Sequence, residues 1–149
     1  MTALQELAPD LSVVDSETGQ VRVLVEAKHS ASASAVGQLA DYMQVAGAQG
    51  AILLTVDRSV LLLPGIGTPG GVELHEVPTD ELLGATPEGA TESELLDRAK
   101  RAIEDWIRSI DRGATDVIPR ALVPYFVWPL HHGLVLVEEY HGSRPRGLC

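Results

Sequence analysis

Pro9-Asp10-Leu11-Ser12-Val13-Val14-Asp15-Ser16-Glu17-Thr18-Gly19-Gln20-Val21-Arg22-Val23-Leu24-Val25-Glu26-Ala27-Lys28 reads as two strands joined by a tight turn, and the pairing of its two arms decides what each face carries. Leu11, Val13, Val23 and Val25 are apolar at every second position, the period of a half-buried strand. A three-residue loop, Glu17-Thr18-Gly19 with a left-handed Gly19, pairs Ser16 with Gln20. That register sets Val13 opposite Val23 and Leu11 opposite Val25. On the other face it sets Asp10 opposite Glu26, in line with Ser12 and Arg22, whereas a four-residue loop would set Asp10 against Val25. Directly opposed residues have Cβ atoms roughly 4.5–5.5 Å apart. Two carboxylates at that distance repel unless a cation bridges them, and strand-held oxygens suit Mg²⁺ or Mn²⁺. Lys28 lies two residues past Glu26, on the same face.

Downstream, Ser30-Ala31-Ser32 supplies a cap for a helix from about Ala33 to Gln49, ended by Gly50. Val36, Leu39, Ala40 and Met43 form one stripe on it, and Gln38, Tyr42, Val45 and Gln49 another. Ala51-Ile52-Leu53-Leu54-Thr55-Val56 then reads as a fully buried strand, and Asp57-Arg58-Ser59 turns the chain into Val60-Leu61-Leu62-Leu63. A strand, helix, strand order requires a right-handed crossover, hence an α/β domain with a mixed sheet.

Pro9-Asp10 with Glu26-Ala27-Lys28 resembles the signature of the PD-(D/E)xK, or restriction-endonuclease-like, nucleases, and Gln38-Leu39-Ala40-Asp41-Tyr42 resembles the QxxxY motif of several of their branches. The resemblance covers roughly residues 9 to 57. It implies a restriction-endonuclease-like mixed sheet flanked by helices, with Asp10, Glu26 and the Ala27 carbonyl holding Mg²⁺ or Mn²⁺. Lys28 would orient or activate the attacking water, while Gln38 and Tyr42 would position the substrate backbone or the site. The implied activity is metal-dependent hydrolysis of DNA phosphodiester bonds, the alternative being a non-catalytic relative that serves as a nucleic-acid-binding or scaffold subunit. Members of the family usually carry a helix and a strand before the Pro-Asp. Only eight residues precede Pro9, so the N-terminal helix is expected to be missing, with Glu6 a stand-in for its acid and a homodimer or a larger protein completing the sheet.

The plain reading of Glu26 and Lys28 is a solvent-facing strand pair worth ~0–1 kcal/mol. Against it stands the choice of base: the chain has nine Arg and two Lys, yet Lys occupies position 28. At 149 residues and 45 % hydrophobic content the chain forms one domain, with a core at about 9–63 and an extension at about 91–149. Its apolar runs are too short for a membrane span, and its single cysteine, Cys149, excludes an internal disulfide framework, so cytoplasmic residence is expected. The net charge of −10 is unevenly spread. Eight acids and no Lys or Arg lie between Glu73 and Asp97, a solvated acidic face, whereas Arg98, Lys100, Arg101, Arg108, Arg112 and Arg120 follow.

Pro64 to Gly71 lacks the residues of a phosphate-binding loop and reads as a connector into a short strand at Val72–Val77. Thr91 and Glu94 form a capping box for a helix whose apolar face holds Leu95, Leu96, Ala99, Ile103, Trp106, Ile107 and Ile110, and Gly113 stops it. A second hairpin, Leu122–Trp128 with Leu134–Glu138, is expected around His131-His132-Gly133. Adjacent histidines on a turn point apart and have no third ligand at useful spacing, so a turn is expected there rather than a metal site.

Overall fold

A computed structural model of the chain describes residues 10–65, 71–84, 89–112, 118, 120 and 134–138, the last five as backbone. The elements run β1 (Leu11–Asp15), β2 (Val21–Ala27), α1 (Ala33–Ala46), β3 (Gly50–Leu54), β4 (Arg58–Pro64), β5 (Val72–Pro78), α2 (Thr79–Leu83), α3 (Glu92–Asp111) and β6 (Leu134–Glu138). They build an α/β fold on a six-stranded sheet of order β5-β4-β3-β2-β1-β6. β2 and β3 are parallel, as a crossover through α1 demands, and the other neighbours are antiparallel. Pro9, Glu6, the segment 122–128, His131, His132 and Cys149 lie outside the described residues.

The hairpin keeps the expected pairs Leu11 with Val25 and Val13 with Val23, but by another route. Its loop has four residues, not three: Asp15 N–H donates to the Gln20 carbonyl at 2.9 Å, and Gly19 N–H donates to the Asp15 carbonyl at 2.8 Å. The Asp15 carboxylate accepts the N–H groups of Glu17 and Thr18, which fixes this longer turn, and Gly19 takes the left-handed φ of 75°. A slip of one residue would have followed. A bulge absorbs it, because Val14 pairs with Val21 and leaves Arg22 as the extra residue of β2.

Helix α1 starts where expected, with the Ser32 hydroxyl accepting Ala35 N–H at 3.1 Å, but ends at Ala46 rather than near Gln49. Gly47 turns left-handed, and Gly47 and Ala48 donate to the carbonyls of Gln44 and Met43, a Schellman closure that uses the first glycine the chain offers. Gly50 opens β3 instead. Helix α3 carries the expected capping box, with Thr91 N–H donating to Glu94 Oε1 and Glu94 N–H to Thr91 Oγ1. The short helix α2 was not expected; Thr79 anchors it, its hydroxyl donating to the Thr55 carbonyl at 2.6 Å and bonding Ser59 at 2.7 Å. The strand Leu134–Glu138 exists and pairs with β1, a long-range partner that its local sequence did not announce.

Two cores sandwich the sheet. Leu11, Val13, Val23, Val25, Ile52 and Leu54 pack with Leu95, Ala99, Ile103, Trp106 and Ile110 of α3, and Leu24, Ala51, Leu53 and Leu62 pack with Leu39 and Met43 of α1. Each fully buried aliphatic side chain contributes about 1.5–3 kcal/mol, so both faces are strongly held. Among the described residues no helix is long and apolar enough to cross a membrane.

Candidate functional site

Beyond the bulge, Val23, Val25 and Ala27 of β2 face α3 and Leu24 faces α1, as the membership of the two cores shows. On the α1 side this alternation gives Leu24, Glu26 and, just past the strand, Lys28. Pairing persists to that point, since Lys28 N–H donates to the Leu54 carbonyl at 2.9 Å. Extending the register of Leu11 with Val25 by one residue sets Asp10 against Glu26.

The Ala27 N–H is taken by the Asp10 carboxylate, whose Oδ2 accepts it at 3.0 Å. A strand residue's N–H and C=O point to the same neighbour, so the Ala27 carbonyl also faces the Asp10 side. Three oxygen donors, from Asp10, Glu26 and Ala27, are thus carried by one strand end.

Glu26 is only 9 % exposed, and its Oε2 lies 3.1 Å from Lys28 Nζ. The hydrogen bond to Glu26 raises the Lys28 pKa above its ordinary value; burial opposes this, and the charges of Glu26, Glu92 and Asp10 add to the rise. Lys28 therefore remains an ammonium at neutral pH and is no general base. Its chemistry is that of a fixed cation beside developing negative charge. Three carboxylates around one ammonium leave a local excess of negative charge that a divalent cation would neutralise, and hard oxygens of this kind are what Mg²⁺ and Mn²⁺ take. Among the described residues no group of three or more His, Cys, Asp or Glu side chains is close enough to hold a metal ion together, so a metal here would rely on two carboxylates and a backbone carbonyl.

A cavity of about 300 Å³ opens beside Lys28, lined also by Ser30, Ser32, Gln38 and Glu92. It lies at the N-terminus of α1, whose first turn holds no acidic residue, so the positive end of the helix faces it. Gln38 thus shares a wall with Lys28. Tyr42, one turn further, packs half-buried against the α1-side core instead of lining this cavity. Glu92 was missed as a site residue because its proximity comes from the N-terminus of α3 reaching the sheet end, for which the sequence holds no local sign.

No family model, curated protein or solved structure matches the chain.

Proposed function

We propose that the chain is a Mg²⁺- or Mn²⁺-dependent deoxyribonuclease of the restriction-endonuclease-like kind, hydrolysing DNA phosphodiester bonds at the Asp10, Glu26 and Lys28 site. One observation carries the reading: the Asp10 and Glu26 carboxylates stand at the sheet end around Ala27 and Lys28, and Lys28 with Gln38 lines a cavity that opens on a helix N-terminus. Asp10, Glu26 and the Ala27 carbonyl would hold the metal, which supplies a bound water of lowered pKa and neutralises charge on the phosphate.

The remaining roles belong to the chain. Lys28, kept protonated by Glu26, stabilises the charge that builds on the phosphate oxygens as water attacks. The amide ends of α1 and the Gln38 side chain orient a non-bridging oxygen of the same group. Asp10 keeps its carboxylate in place through the Ala27 N–H.

The test is incubation of purified protein with supercoiled plasmid and with labelled single strands, in Mg²⁺, Mn²⁺ or EDTA. Cleavage that needs the metal and vanishes in Asp10→Asn supports the nuclease. A folded, metal-saturated wild type that cuts no substrate overturns it.

A second reading, a scaffold on the same fold, is favoured by one specific observation. Asp10 and Glu26 are already engaged by Ala27 and Lys28, which is also how a strand end closes itself without any ligand.

A further inference from the structure

Helix α3 buries Leu95, Ala99, Ile103, Trp106 and Ile110 against the sheet, and a different part of its surface borders α2. There a groove of about 400 Å³ is lined by Arg98, Arg101, Arg108 and Arg112, with Leu83 of α2 on the facing wall. With Asp105, these arginines recur at alternating three- and four-residue steps, which places them in one row down the helix. From Arg98 to Arg112 the row is about 21 Å long at 1.5 Å per residue.

We propose that this groove is the docking surface for the sugar-phosphate backbone of a nucleic acid; the choice of nucleic acid as the occupant rests on the nuclease reading above. The charge is segregated, because the chain as a whole carries −10 and the row holds four guanidinium groups against the single carboxylate of Asp105. Asp105 pairs with Arg108, and the row keeps a clear positive excess. Helix electrostatics accounts for Arg108 and Arg112 near the C-terminus but not for Arg98 and Arg101, which lie outside the last turn. Both have acidic neighbours four residues back, Glu94 for Arg98 and Asp97 for Arg101, but attraction at that spacing on a helix surface is weak enough for a phosphate to displace it.

Trp106 borders the groove but is buried, so its ring offers no platform for a base. Recognition therefore falls on the backbone and is tolerant of sequence. The same helix begins at Glu92, in the wall of the Lys28 cavity, so Arg98 stands about 9 Å and Arg112 about 30 Å along its axis from the site. A strand held in the groove is thus led toward the sheet end where Lys28 lies.

The experiment measures fluorescence anisotropy of a labelled 25-mer duplex in EDTA, which prevents cleavage, over a range of salt concentrations. Arg101→Gln/Arg112→Gln is expected to weaken binding about tenfold or more and to lower the slope of log affinity against log salt by close to two, at about 0.9 per lost phosphate contact. Arg58→Gln, on β4 and paired with Glu76 of the edge strand β5, is expected to leave both unchanged. An Arg101→Gln/Arg112→Gln variant that is folded by circular dichroism yet binds like wild type overturns the proposal. So does a wild type that ignores the duplex but binds anionic phosphatidylserine vesicles. The two readings fail separately: groove-dependent binding without any metal-dependent cleavage removes the nuclease and keeps the docking surface, while cleavage insensitive to the arginine changes removes the docking surface alone.

Discussion

The two faces of the sheet are covered by helices of unequal reach. Helix α3, with 20 residues, extends about 30 Å, and α1, with 14, about 21 Å. On the α3 side the apolar run continues through Val23, Val25 and Ala27 to the end of β2, with Leu54 beside it on β3. On the α1 side it stops at Leu24, and Glu26 and Lys28 take the next two places. The polar pair sits where the sheet runs on and the covering helix has only just begun. A cavity with charged walls needs such a mismatch; two helices of equal coverage would have sealed both faces.

If that contrast governs the molecule, substitutions on the α1 side at the strand end act on chemistry, and substitutions on the α3 side act on stability. The largest expected effect is on chemistry. Lys28→Ala should lower metal-dependent cleavage of plasmid by orders of magnitude, since a preorganised cation of this type contributes on the order of 10²–10³ in rate. Its circular dichroism should match wild type, because Lys28 lies beyond the last strand residue. A variant that still cuts at wild-type rate would break the assignment of roles along β2.

On the other face, Ile103→Ala removes a side chain that is 1 % exposed and central to the α3 core. The expected loss is about 2–5 kcal/mol, measured by urea unfolding, with metal affinity of the remaining folded protein unchanged. A loss under about 1 kcal/mol would mean that α3 is less firmly seated than its burial implies. The metal itself supplies the next effect. Mn²⁺ at a hundredfold excess over its dissociation constant should stabilise the wild type by about 2.7 kcal/mol, and Asp10→Asn should lose that gain. An asparagine oxygen can still accept the Ala27 N–H, so the variant separates the charge from the hydrogen bond.

Which parts of this were legible in the sequence follows from how local their causes are. Alternation in Leu11, Val13, Val23 and Val25 was enough to pair the hairpin, and capping chemistry was enough to place Ser32 and Thr91. The bulge at Arg22 was not legible, because a single extra residue leaves the alternating pattern on either side intact. Asp15 four residues before Gly19 was the available sign of the longer loop. Gln38 and Tyr42 share a helix face by spacing, yet only the position nearer the N-terminus of α1 lines the cavity, which depends on where the helix begins relative to Lys28. Glu92 and the facing wall at Leu83 come from elements distant in sequence, and spacing carries no information about them.

The smallest effect tests the electrostatics of the strand end most directly. The Lys28 pKa is raised in the folded chain, first by its hydrogen bond to Glu26, so the pair's contribution to stability is fully present below the unfolded value of about 10.4. It is lost as pH rises through the higher folded value, where Lys28 gives up its proton. Lys28 is 41 % exposed at the side chain, so solvent screening keeps the whole contribution within about 0–1 kcal/mol. Comparison of wild type with Lys28→Met by urea unfolding at neutral pH, at pH 9 and above pH 11 isolates it, because every other titration is common to the two proteins. The stability gap should hold between neutral pH and pH 9 and then close. A gap that does not change with pH would show that Lys28 stabilises through its methylene stem rather than its charge, and the cation assigned to the reaction would lose its anchor at Glu26.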